Sequence, residues 1–542
     1  MPKSRPPHKK PAKKAKGPVI TNVEDYLEAG DAHEEAMRKH RAGDSAKSMR
    51  FADRALDVYS IGLAKFPRDF DLAYNKARLE LEKATDPSLS QALSVPVLDA
   101  LRVALQSHQY ANEINRDHPD TLFNMAQTLT SMAEVMAEED GQEMEAAKLM
   151  KQALDVQAQC YEVQLKSLRA AREFDKKMSE TMDYQASSLD STQTTHAPSS
   201  QAKDVRQEEQ WVTVEEPVTA LSLLETITSQ IETMTALCSV LGTSLATTPE
   251  LSENYSAFLS WIDPFCVRLL KDTLPNLVSE YRQELGPHQF DAALPSAMLT
   301  ANYLDLLFRL SNVNVEEYMR GIGEAFSELQ GSPPDAAAMS YARALLAFHN
   351  AVADFTSLGK LDQSTGADPA VRWGALTEAE RQLSSVGSMP NVNKRILAEA
   401  QRLRGDICLM RQTLASPPTA YEVARQWAFE NGTSAEVHYQ NASELYRAPI
   451  YSRSDDEEQG SKCEFRAVVA RRLRQNINTA MQRSGTEGFN SFTTHSQPEE
   501  LYLQEDRLKP ILQAKGQQWI VEQVEDMMSE GLVIPELISA FL

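Results

Sequence analysis

Lys9, Lys10, Lys13, Lys14 and Lys16 lie in one short run. With Lys3 and Arg5 they give residues 1–17 seven basic side chains and no acidic one. Paired lysines on an extended backbone fit the acidic pockets of an import receptor, so this run reads as a nuclear localisation signal. A weak contact to RNA or the ribosome, and a plain solvated tail, are the alternatives. Five prolines and the lack of large apolar residues between Met1 and Val19 leave nothing to bury, so residues 1–20 are expected to be a disordered basic tail.

Elsewhere the residue sets that chemistry requires are incomplete. Gly321-Ile322-Gly323 lacks the following glycine and lysine of a phosphate loop. No Gly-x-Ser-x-Gly elbow is present. The ten histidines do not meet carboxylates at metal-ligand spacing, and Glu138-Glu139-Asp140 reads as a solvated helix end. Cys160, Cys238, Cys266, Cys408 and Cys463 are scattered and odd in number, which suits unpaired, buried thiols in a reducing compartment. The sequons at Asn254, Asn431 and Asn441 are chance matches without secretion. The expectation is therefore no catalytic, cofactor or metal site, and a protein that is not an enzyme.

Charge sets the class of partner. Across 542 residues, 77 acidic against 55 basic side chains give a formal net charge of −22, and the basic head leaves the remainder more acidic still. Such a body repels phosphates and attracts basic proteins. Nucleic acid is not expected as a ligand except through residues 1–17. No apolar run approaches the ~18 residues of a transmembrane helix, and no secretory signal is visible. The expected place is the nucleus, the cytoplasm or both, with no membrane partner.

The elements that position these residues are helical. Ala, Leu, Met, Glu, Lys and Arg dominate from Val23 onward, and few stretches alternate with period two. The one β-like fragment is Trp211-Val212-Thr213-Val214. The chain divides into a tail (1–20), an N-terminal helical domain (21–182), a polar, acidic-ended linker (183–216), a second helical block (217–447), a partly disordered segment with one basic helix (448–500), and C-terminal helices (501–542). In the second block Leu221, Leu224, Ile227, Ile231, Met234 and Leu237 recur every three or four residues, one face of a buried helix. Further helices are expected over 251–282, with a kink or split at Pro264, and over 293–309, 314–329, 335–356, 369–385, 390–413, 417–430 and 433–447. The run Asp455-Asp456-Glu457-Glu458 marks a polar break, followed by a basic helix with Arg466, Arg471, Arg472 and Arg474.

Repeats are the most informative feature. Ala55-x3-Tyr59-x2-Gly62 followed by Pro67 is a small–aromatic–small helix with its stop, and Tyr74-Asn75-Lys76-Ala77 opens the next helix. The pair recurs as Ala104-x3-His108-x2-Ala111 and Phe123-Asn124-Met125-Ala126. The excess over one ~34-residue unit falls at Asp86–Pro96, which reads as a loop insertion. Residues 142–178 fit a helix too long for one repeat. In the second block Arg372-Trp373-Gly374-Ala375, Gly405-Asp406 and Tyr439-x2-Ala442 are weaker fragments of the same kind.

Through these positions residues 22–180 resemble the tetratricopeptide repeat family. The stretch from Arg41-Ala42-Gly43-Asp44 through Ser48-Met49-Arg50-Phe51 to Asn75-Lys76-Ala77-Arg78 is similar to that of uncharacterised fungal proteins of this class. The resemblance implies an all-α solenoid with a concave face that binds an extended segment of another protein, with Ala55, Tyr59, Gly62, Pro67, Tyr74, Ala77, Ala104, Ala111, Phe123 and Ala126 as its packing positions. Asn75 and Asn124 fit the asparagines of the family's carboxylate clamp. His40 and Asp44, or Ala36 and Met37 in the other register, supply none of its cations, so both asparagines read as helix-surface residues. The expected function is a protein-binding scaffold, an acidic chaperone for a basic client such as a ribosomal protein or histone. The alternative is a structural subunit docked through apolar helix faces, Leu532, Ile534, Leu537, Ile538, Phe541 and Leu542 among them.

Overall fold

The computed structural model describes residues 21–41, 43–138, 141–189, 217–247, 252–357, 368–417, 419–448, 454–484 and 508–534. Among the described residues all regular structure is helical. The Trp211–Val214 fragment lies outside them. The chain forms two compact units, Met1–Thr233 and Met234–Leu542.

The first unit is built from helices packed in sequential pairs: α1 (Val23–His40) with α2 (Ser45–Lys65), α3 (Phe70–Thr85) with α5 (Val97–Ile114), and α6 (Pro119–Ala137) with α7 (Glu143–Leu189). α1 starts at a capping box in which Asn22 and Asp25 satisfy each other's backbone N–H groups. Asp44 and Asp69 cap α2 and α3 with their side chains. α1 turns Tyr26, Gly30, Glu34 and Met37 inward, and α2 answers with Ser48, Met49, Ala52, Ala55, Tyr59 and Gly62. Both sets step by three or four along one helical face. Small residues set the spacing: a Cβ on Gly30 would stand 2.2 Å from the Tyr59 ring.

Two expectations for this unit change. The Asp86–Pro96 insertion is not a plain loop. Asp86 caps a helical turn, α4 (Pro87–Ser90), that sends Leu89 into the core at 0% exposure. α7 runs on to Leu189, seven residues into the expected linker. Its strong helix formers continue to Met182, and no proline interrupts it. Residues 190–216 lie outside the described part. The division between the units falls inside α8 (Ala220–Thr247), between Thr233 and Met234.

In the second unit α9 (Ser252–Val267) leads through a π-helical segment, Arg268–Thr273, into α10 (Leu274–Glu280). The irregularity therefore lies after Pro264, which sits inside α9. Pro275 offers no N–H to the preceding turn, and Leu274 N–H reaches back five residues to Leu269. The short turn α11 (Arg282–Leu285) follows. The pairs are then α12 (Ala293–Arg309) with α13 (Val315–Ser327), α14 (Pro334–Ser357) with α15 (Pro369–Ser388), and α16 (Lys394–Ala415) with α18 (Ala428–Tyr446), α17 (Glu422–Gln426) bridging the last two. α19 (Ser454–Ser484) packs on α18, and α20 (Leu508–Lys515) and α21 (Gln517–Ser529) complete the unit. The acidic run expected as a break is the first turn of α19. Acids there oppose the positive end of the helix dipole, and Asp456 and Glu458 are taken up by Arg395 and Lys515.

Candidate protein-binding face

In the first unit the first helix of each pair touches the next one. Arg78 of α3 donates to Glu34 of α1, Asn124 of α6 donates to the Tyr74 hydroxyl of α3 at 3.3 Å, and Thr130 of α6 meets Thr233 of α8 at 3.3 Å. α1, α3, α6 and the start of α8 thus form one row of alternate helices. A cleft of about 330 Å³ opens on it.

The cleft wall is polar. Leu81 and Thr85 come from α3, Gln127, Thr130, Ser131 and Glu134 from α6, and Ser229, Glu232 and Thr233 from α8. Behind it, buried Gln157 of α7 donates to Ser229 Oγ at 2.9 Å and to Thr233 Oγ1 at 3.0 Å, fixing both hydroxyls. Glu134 and Glu232 stand exposed at the mouth. The surrounding protein, with Glu138 and Glu232, raises the Glu134 carboxyl above the ordinary range, and partial desolvation raises Glu232. Neither forms an ion pair with a described residue. Acceptors and hydroxyls without a cation suit an ammonium or guanidinium group.

A second acidic feature lies on α1. Glu24, Glu28, Asp31 and Glu35 are exposed and spaced four, three and four apart, which is a single stripe. Asp31 accepts a 3.4 Å bond from Tyr59, and none of the four is in an ion pair among the described residues.

The structure buries most of the positions expected to pack. Ala55, Tyr59, Ala77, Ala104, Ala111 and Ala126 are at 0% exposure, and Gly62 is buried against Tyr26 and Leu72. Tyr74 and Phe123 are half-buried. Pro67 is exposed at the turn, where its carbonyl accepts the Tyr110 hydroxyl. Asn124 is engaged with Tyr74, Asn75 is half-buried on α3, and His40 stacks on Phe51 at 5.7 Å. Lys9, Lys10, Lys13, Lys14 and Lys16 lie outside the described residues, as do Leu537, Ile538, Phe541 and Leu542. Leu532, expected in a docking surface, is 1% exposed within the chain's own core.

The expected basic helix presents little free charge. Arg466 bonds Asp406 and Glu530, while Arg471 and Arg474 share Glu436. Its arginines turn inward because acids on α16, α18 and the end of α21 await them, which the local sequence does not disclose. The cleft was also missed, since its walls come from helices up to about 150 residues apart in sequence.

Among the described residues no group of histidine, cysteine and carboxylate ligands could hold a metal ion, and no helix is long and apolar enough to cross a membrane. All five cysteines are buried. Burial pushes the thiols of Cys160, Cys408 and Cys463 up to about 12, far from a reactive thiolate at neutral pH.

No family model matches the chain. Over 132 residues, 24% of this chain, it is 31% identical to a UPF0656 protein of Schizosaccharomyces pombe, and it spans 29% of that relative's length. Among solved structures, a circular tandem repeat protein with novel repeat topology and enhanced subunit contact surfaces aligns over 93% of this chain and 98% of its own, at 12% identity and a TM-score of 0.26. At that score the likeness carries no argument.

Proposed function

We propose that this chain is a non-enzymatic, tetratricopeptide-like scaffold that holds a basic segment of another protein on the α1–α3–α6–α8 row. The observation that carries the reading is the cleft: hydroxyls and two carboxylates converge there, and among the described residues no cation pairs with either carboxylate. The acidic stripe of α1 lies on the same row and extends the field that a basic client would meet. A ribosomal protein or a histone has the required charge. The lysine-rich head would serve import of such a complex through an import receptor, giving a chain that works in the cytoplasm and the nucleus.

The test is affinity purification of the full chain from native cells, washed first at low and then at high salt, with mass spectrometry of each eluate. One stoichiometric basic protein released by salt is the expected result. A salt-resistant set of neutral proteins would overturn it in favour of a fixed subunit of a larger assembly. One observation favours that second reading: Val423, Trp427 and Phe429 at the α17–α18 junction are 37%, 54% and 39% exposed, an apolar patch a partner could cover.

A further inference from the structure

The second unit holds a segment seated much as a bound peptide would be. α14, α16 and α19 form a row of alternate helices, packed through α15 and α18 and linked directly by Arg343 to Glu399 at 3.2 Å and by Arg466 to Asp406 at 2.9 Å. α21 and the turn after it reach that row through side chains. Trp519 meets Phe465 of α19 edge-on at 5.9 Å and donates its indole N–H to Glu458 at 2.7 Å. Further on, Glu530 accepts from Arg466 at 2.8 Å, the same arginine that holds Asp406 of α16. At the far end a Cβ on Gly531 would stand 3.8 Å from Asn350 Oδ1 of α14. The segment therefore reaches from α19, past the Arg466 bridge to α16, as far as α14.

Its chemistry is that of a helix in a groove. Ile520, Val524 and Met527, spaced four and three, are all buried, and Leu532 and Val533 follow them into the core. A carboxylate of the segment, Glu530, sits on an arginine of the row, and Lys515 sits on Glu458. α20 and α21 have 8 and 13 residues, and helices of that length are marginal alone in water. Their order comes from the row. Meanwhile α14 with α15 and α16 with α18 join through contacts the segment does not share, such as the Tyr439 ring seated on Gly405.

We propose that the α14–α16–α19 row is an exchangeable helix-binding face, with residues 508–534 as its resident occupant. A partner helix with an i, i+4, i+7 apolar stripe and a carboxylate one turn beyond displaces it. This does not rest on the basic-client reading, which concerns the first unit and the opposite charge.

The experiment uses the full chain with a protease site inserted between residues 485 and 507, cut after folding. A fluorescent synthetic peptide of residues 508–534 is then added. Expected is saturable binding as the resident fragment exchanges out, with the helical signal and melting of the body retained. Uncut chain should bind the peptide at least tenfold more weakly, because the tethered occupant competes at high effective concentration. A Glu530→Lys peptide, placed against Arg466, should lose at least tenfold. A fragment that does not exchange within a day overturns the proposal, and so does one whose departure melts the body. Either result makes residues 508–534 a fixed cap of the core.

Discussion

Tyr59 donates its hydroxyl to the buried carboxylate of Glu34 at 2.7 Å, and Arg78 closes on the same carboxylate at 2.6 and 2.7 Å. The second unit repeats the device: Tyr439 donates to Asp406 at 2.7 Å, with Arg402 and Arg466 at 2.7 and 2.9 Å. In both, a glycine on the carboxylate's own helix seats the tyrosine ring, Gly30 in one and Gly405 in the other. The hydroxyl bond fixes the ring, the ring fixes the helix pair, and the arginine ties that pair to the next.

Removing one partner leaves a buried charge uncompensated. Arg78→Met should lower stability by about 3–5 kcal/mol, since Glu34 is 1% exposed and among the described residues keeps only its tyrosine and the largely exposed Arg38 at 3.7 Å. Arg38→Met, at a side chain 56% exposed, should change it by no more than about 0.5 kcal/mol. Urea unfolding of both variants makes the comparison. Equal effects would show that the network contributes no more than surface charge.

Glycines separate by what surrounds them. Gly30→Ala and Gly405→Ala drive a Cβ to 2.2 and 2.6 Å from a tyrosine ring, so each should cost about 1–3 kcal/mol despite the better helix propensity of alanine. Gly374→Ala, inside α15 with open space around it, should instead gain about 0.5–1 kcal/mol. Thermal unfolding then shifts down for the first two and up for the third.

His108 is fully buried, and neither ring nitrogen has a partner. Burial lowers it to about 4 from an unfolded value near 6.5. The native state therefore binds fewer protons than the unfolded chain between those values. The stability held by neutral His108 is complete above pH 6.5 and is lost as pH falls toward 4, about 3 kcal/mol in all. His438, also lowered to about 4 by burial, adds a slope of the same sign in the second unit. Unfolding measured from pH 7 to 4.5 should show this loss, and His108→Leu should flatten its share. A slope that persists unchanged in His108→Leu refutes the assignment.

The cleft can be probed with a fluorescent ten-lysine peptide on the full chain. Glu134→Gln with Glu232→Gln should weaken binding about 5-fold to 30-fold at low ionic strength, and hardly at all at 0.5 M salt, as expected for ~0.5–1 kcal/mol per exposed carboxylate. Because both carboxyls are raised, wild-type binding should also weaken earlier on acidification than ordinary glutamates would allow. An equal loss from Glu28→Gln with Glu35→Gln would mean that the general field, not the cleft, attracts the peptide.

Much of the architecture was legible because helical packing writes itself into spacing. The stripe from Leu224 to Leu237 in α8 and the small–aromatic–small pattern of Ala55, Tyr59 and Gly62 are local consequences of one helix face meeting a neighbour, and the expected helix over 293–309 is found as α12. Where the reading failed, polarity misled it. Asp455 to Glu458 look like a break, yet acids belong in a helix's first turn. The basic helix is found as α19, but its sequence does not disclose that Asp406, Glu436 and Glu530 pair with Arg466, Arg471 and Arg474.

Sequence alone thus determined that this protein is helical, paired and acidic, since those properties depend on periodicity and composition within a few turns. Which charges remain unspent was decided only by the tertiary structure. Glu34 and Asp406 are consumed in the core, while Glu134 and Glu232 are left at an open cleft. The difference lies in whether a helix distant in sequence delivers an arginine within ~4 Å, and no local pattern encodes that distance.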